Sequence, residues 1–248
     1  MKIIRKILNQ NKVYLFNYNY NSFFEGLYRL LAIVISPIFI KINPNTISFF
    51  SLICGFFALI ISLIFSIKIK YIIALFVLSF VLDFTDGLIA RYNLKSSFYG
   101  RFIDGLFDIF VLGFLHITLL VYLINFYSLE TSSYKFIFYI TTIFVLPIQH
   151  LILDRFSALA RWCNEISKSK KIKPYHRNLF FNKITMLLFD IQHLLLFYII
   201  FFDENNFLYI TDLFFIVSFS ASSFSIVLYF YLSKKKLSLI KNQKDNRE

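Results

Sequence analysis

Residues 81–110 read VLDFTDGLIARYNLKSSFYGRFIDGLFDIF, with the spacing D-x2-D-G-x2-A-R-x8-G-x3-D-x3-D. The fixed positions are Asp83, Asp86, Gly87, Ala90, Arg91, Gly100, Asp104 and Asp108. Four carboxylates stand in segments otherwise built from Phe, Leu, Ile and Val. An ionisable side chain inside a membrane segment costs roughly 2.5–3.5 kcal/mol on insertion scales, and four of one sign also repel one another. Something positive must hold them, and Arg91 alone is too little. Hard carboxylate oxygens suit divalent cations such as Mg²⁺, Mn²⁺ or Ca²⁺.

The apolar setting extends over the whole chain. Of 248 residues, 58% are hydrophobic and only 16% are charged, with a mean hydropathy of +0.67. A soluble domain carries about a quarter charged residues, so this composition describes a polytopic membrane protein with room for one membrane domain. The net charge of +12 does not point to nucleic acid. The basic residues gather in loops and tails, which suits an anionic membrane surface. Cys54 and Cys163 have neither zinc spacing nor a disulfide pattern. The start, MKIIRKILNQNKVYLF, breaks its apolar run at Asn9 to Lys12 and shows no cleavable signal peptide.

Working outward from the quoted stretch, six segments are long enough to span a bilayer, at 45–67, 71–92, 99–126, 135–155, 179–202 and 206–232. The fold class expected is all-α integral membrane, six transmembrane helices preceded by an N-terminal interfacial amphipathic helix. That helix lies in 21–41, where Glu25 and Arg29 are spaced i,i+4 and Pro37 ends or kinks it. Asn45 or Thr46 is expected to cap the first span, behind Pro44. The divisions are 1–43, a cytoplasmic segment with the interfacial helix; 44–232, the membrane domain; and 233–248, a basic, partly disordered tail.

Charge sets the expected orientation. With the N-terminus inside and six spans, 23 of the 26 Lys and Arg fall on inner segments, and only Lys68, Lys70 and Lys135 fall outside. The outer turn FFDENNF has no cation. This is the bias of the positive-inside rule. It puts both termini in the cytoplasm and all four carboxylates toward that side, on two antiparallel spans joined by the turn YNLKSS.

The spacing also gives the carboxylates a common pocket. Asp83 and Asp86 are i,i+3, and Asp104 and Asp108 are i,i+4, so each pair shares one helix face. Gly87, Gly100 and Ala90 permit close approach of a helix or a ligand. Arg91 can grip phosphate with its fork.

This run resembles the signature of the CDP-alcohol phosphotransferase family at every fixed position, and the layout of the chain resembles that family more loosely. The resemblance implies a six-helix membrane enzyme of phospholipid synthesis. Such an enzyme moves a phosphoalcohol from a CDP-linked donor, CDP-diacylglycerol or a CDP-alcohol, to an acceptor hydroxyl and releases CMP. It implies that Asp83, Asp86, Asp104 and Asp108 bind Mg²⁺ or Mn²⁺, as two ions, and that Asp108 is also the general base. Gly87, Ala90, Arg91, Gly100 and Asn45 would line the nucleotide site. A membrane lipid on one substrate and a homodimer are further implications. Serine, inositol phosphate, glycerol phosphate and diacylglycerol acceptors share the motif. The rival classes are a UbiA-like prenyltransferase, whose pattern and larger helix number differ, and a divalent-cation transporter, which would place acids near mid-membrane on several spans.

Outside the motif, Asp190, Gln192 and His193 on the fifth span, with Gln149 and His150 on the fourth, read as interhelical hydrogen-bonding groups. Catalysis by His193 or His150 is the lesser alternative, and His116 reads as packing. Arg155, Arg161 and Lys183 read as membrane-surface charge, with phosphate binding as the alternative. The run KSKKIK at 168–173 and Trp162 read as interfacial.

Overall fold

The computed structural model describes residue 7 and residues 22–65, 67–169, 179–201 and 206–245, with the backbone alone at 98, 154, 160–169, 179–182 and 235–245. Among the described residues the chain is helical and has no strand. The elements are α1 (Phe23–Phe39), α2 (Pro44–Ile64), α3 (Ile69–Tyr92), α4 (Phe98–Tyr127), α5 (Tyr134–Ser169), α6 (Leu179–Phe201) and α7 (Phe207–Asp245). Six of them, α2 to α7, are long and apolar enough to cross a membrane. The helices α5 and α7 continue past their apolar stretches, and the tail expected to be partly disordered is helical to Asp245. Arg161, Trp162, Cys163, the run 168–173 and positions 202–205 of the outer turn have side chains outside the described residues.

Local sequence explains where the helices start and stop. Ser22 caps α1 by accepting from the Glu25 N–H at 3.1 Å. Asn43, not Asn45 or Thr46, caps α2: its Oδ1 accepts from the Asn45 N–H, and Pro44 takes the first helical position, where a missing N–H costs nothing. Ser97 caps α4 through the Gly100 N–H at 2.9 Å. Between α3 and α4 the chain turns at Leu94, which is 90% exposed and has φ 54°. The Lys95 N–H returns to the Ala90 carbonyl there, closing the helix end. Pro37 neither ends nor disrupts α1. Its missing N–H would have served the Ile33 carbonyl, and the Ser36 hydroxyl donates to that oxygen instead at 2.8 Å.

Packing centres on α2, α3 and α4. One face of α2 is small, with Ser48, Ser51, Gly55, Ala58 and Ser62 buried, and it lets neighbouring backbones come close. Ser51 and Ser79 exchange hydrogen bonds with each other's carbonyls at 2.8–2.9 Å, tying α2 to α3. A Cβ on Gly55 would stand 3.2 Å from Val111 of α4. At the other side of the bundle α5 and α6 both pack against α7, and α6 also meets α3.

The interfacial placement expected for α1 does not follow from its contacts. Tyr28 packs on the rings of Phe80 and Phe84, and twelve residues later the Ile40 carbonyl accepts from Asn93 Nδ2 at 3.0 Å. The same interval on α3, Phe80 to Asn93, is thirteen residues, so α1 runs alongside α3 and in the same direction. Its start reaches α6, where Phe24 stacks on Phe197 and Asp190 accepts from the Phe23 and Phe24 N–H groups at 3.0 and 2.9 Å. Its outward residues are Phe23, Leu30, Leu31, Val34 and Ile38, an apolar face rather than the polar one a water-facing side requires. Arg29 stays on the helix itself, bonded to Glu25 at 2.6 Å and lying over the Phe84 ring.

Candidate active site

The last three turns of α3 and the first three of α4 bring the motif carboxylates together. One oxygen from each of Asp83, Asp86 and Asp104 lies within 4.8 Å of the others. Asp108, one turn further along α4, lies within electrostatic reach of Asp83 and Asp104. Asp86 is buried, 5% exposed, and accepts a hydrogen bond from the Ser48 hydroxyl of α2. Asp104 has a buried oxygen, Oδ1, with no hydrogen-bond partner among the described residues. Carboxylates of like charge converge in an apolar bundle only at a cost, which a bound cation or a shared proton relieves. Three clustered carboxylates, one of them with a buried oxygen left without a partner, make a donor set suited to a hard divalent cation.

Around this cluster the glycines mark close approaches. A Cβ on Gly100 would meet Asn45 Oδ1 and Ser97 Oγ, both at 3.1 Å, so Asn45 at the start of α2 stands directly beside the first turn of α4. A Cβ on Gly87 would touch the Arg91 guanidinium at 3.5 Å, and Arg91 thus curls back over the turn that carries Asp86. Ala90 is half-buried one position before Arg91, which is itself exposed. The structure therefore groups Asp83, Asp86, Asp104 and Asp108, pairs Asn45 with Gly100, and pairs Gly87 with Arg91. Ala90 lies four residues after Asp86, on the same face of α3.

Ser48 was not anticipated from sequence. It lies three residues after Asn45, hence on the same face of α2, and that spacing is the signal that could have found it. The other polar residues of the spans fall elsewhere. His116 bonds the Leu112 carbonyl and Ser218 Oγ. Gln192 donates to Ser218 Oγ, and Gln149 accepts from Ser222. Asp190 holds the start of α1. Arg155 and Lys183 are exposed.

The sequence profile of the family described as CDP-alcohol phosphatidyltransferase fits residues 41–220, a stretch that begins just before α2 and ends within α7. No curated protein matches the chain.

Proposed function

The chain belongs to the CDP-alcohol phosphatidyltransferase family, and on that premise we propose that it is a metal-dependent enzyme of phospholipid synthesis that transfers a phosphoalcohol from a CDP-linked donor to an acceptor hydroxyl. Family membership and six apolar helices make it a multi-pass membrane transferase. The observation that carries the finer reading is the convergence of Asp83, Asp86 and Asp104 oxygens within 4.8 Å.

In this reading the four aspartates hold two ions, Mg²⁺ or Mn²⁺, whose charge when bound offsets that of the donor pyrophosphate during transfer. The chain's own groups do the rest. Arg91 grips a phosphate with its guanidinium, next to Gly87, where no side chain stands in the way. Asn45 and Gly100 form the wall against which the cytidine lies, with Ala90 completing it. Ser48 holds the Asp86 carboxylate in one orientation. The acceptor oxygen attacks the β-phosphorus, its proton passes to an oxygen of Asp108, and the bond from that phosphorus to the bridging oxygen breaks as CMP leaves. The carboxylates lie toward one end of two helices rather than at mid-depth on several, which weighs against a cation pathway.

The test is CMP release by the purified protein from CDP-linked donors, with EDTA and with Mg²⁺ restored. Full turnover in chelator rejects the metal. The charge distribution supports an active site on the cytoplasmic side. Cysteines introduced as Asn205→Cys and Ser169→Cys check this: an impermeant reagent added outside should label the first and spare the second, and the reverse pattern overturns the orientation.

A further inference from the structure

We propose, resting on the transferase reading above, that a cavity one helical turn deeper than the aspartates receives the neutral, hydroxyl-bearing body of the acceptor, so that this protein uses an acceptor carrying neither a phosphate nor any other charged group. The cavity measures about 160 Å³ and is walled by α3 to α7. Phe80 and Leu112 line it. Phe80 is three residues from Asp83 and Leu112 four from Asp108, so the cavity lies on the same helix faces as the carboxylates.

Its polar groups are matched to hydroxyls. Gln149 uses its Oε1 on Ser222, Gln192 its Nε2 on Ser218, and His193 its Nδ1 on the Phe189 carbonyl. Among the described residues no hydrogen bond occupies Gln149 Nε2, Gln192 Oε1, His193 Nε2 or either nitrogen of His150, and all four side chains line the cavity. His193 is 4% exposed and stacked on Phe189. A polyhydroxylated guest would satisfy donors and acceptors alike.

Charge excludes the alternative guest. Among the described residues no Lys, Arg, Asp or Glu lines the cavity, and Arg155 and Lys183 are exposed. An acceptor phosphate would lie there without a counter-charge, which is prohibitive in an apolar bundle. The volume is below the ~300–1,000 Å³ that encloses a whole drug-sized ligand, so the guest is a group of a few carbons. That chemistry has two sources, a free polyol or the glycerol end of a lipid alcohol.

The experiment uses the full chain in lipid vesicles with Mg²⁺. Donor binding is measured directly, and CMP release is followed in three arms: CDP-diacylglycerol with glycerol or inositol, a CDP-alcohol with diacylglycerol, and CDP-diacylglycerol with glycerol phosphate, inositol phosphate or serine. Turnover in either of the first two arms is expected and tells the free polyol from the lipid. Donor binding with turnover confined to the third arm overturns the proposal alone. Absence of donor binding overturns the transferase reading and this proposal with it. His150→Leu removes hydrogen-bonding atoms and Ala221→Leu fills space at the cavity wall. Each should raise the acceptor KM roughly tenfold, the worth of about one hydrogen bond, while donor KM stays put. Folded variants with an unchanged acceptor KM would overturn the assignment.

Discussion

Asp86 and Asp212 are both carboxylates on apolar helices, at opposite ends of the bundle, and the protein treats them differently. Asp212, near the start of α7, accepts from Lys135 Nζ at 2.8 Å and from the Tyr139 hydroxyl. Asp86, near the end of α3, accepts from the Ser48 hydroxyl and clusters with two further carboxylates, Asp83 and Asp104, rather than with a cation. Asp190 follows the first pattern, its charge spread over two N–H groups at the start of α1. A carboxylate that serves the fold comes with its own donors. In the proposed reading, the clustered carboxylates are instead held for a ligand that brings positive charge.

The largest effect expected from this contrast follows metal removal. EDTA should reduce CMP release to background, and Mg²⁺ or Mn²⁺ should restore it. Asp83→Asn, Asp86→Asn and Asp104→Asn should each lose most activity while the protein still inserts. Addition of Mg²⁺ should raise the melting temperature of the native protein more than that of these variants. A native protein whose melting point ignores divalent ions would break the contrast, because the cluster would then be satisfied as Asp212 is.

Next in size is Asp108→Asn. Three carboxylates remain for metal, so donor binding should survive in part. The acceptor hydroxyl loses its proton acceptor, and turnover should fall roughly 10²–10⁴-fold. Donor binding and single-turnover CMP release on the same variant separate the roles. If both collapse together, Asp108 belongs with the metal ligands and the base is sought elsewhere, with His193 or water next.

The third effect is on stability. Asp190→Ala leaves two N–H groups of α1 without their acceptor in an apolar setting, at a cost of about 1–3 kcal/mol. Thermal denaturation in detergent should show it. Activity per folded molecule should move far less than in the Asp108 variant.

Much of this site was legible because spacing alone fixes it: i,i+3 and i,i+4 carboxylates on two helices joined by a short turn have one way to face each other. The six spans were legible from length and hydropathy, and α2 to α7 follow them closely. Contacts between elements distant in sequence were not. Nothing in residues 23–39 says that the helix will lean on α3, since its apolar residues fit lipid and protein equally well. The acceptor for its first N–H groups comes from Asp190, 167 residues away from Phe23. Ser48 escaped for a related reason: a serine on an apolar helix ordinarily bonds back to its own helix, as Ser48 also does to the Pro44 carbonyl. Only the three-dimensional packing reveals its second bond to Asp86.

The smallest effect belongs to the other end of the bundle and is the sharpest check on the contrast. The Lys135 and Asp212 side chains are 40% and 23% exposed, so water screens the pair, and an exposed ion pair is worth about 0.2–1 kcal/mol. Asp212→Asn should cost no more than that, because Tyr139 can still donate to the remaining carbonyl oxygen. Lys135→Met alone should cost slightly more, since it leaves the Asp212 charge with Tyr139 only. The double variant should fall below the sum of the two, the difference being the coupling between them. None of the three should alter CMP release or its dependence on Mg²⁺. If removing the Asp212 charge abolished activity as removing the Asp86 charge is expected to, the division between carboxylates that serve the fold and carboxylates that await a ligand would fail, and the two ends of the bundle would have to be treated as one coupled electrostatic system.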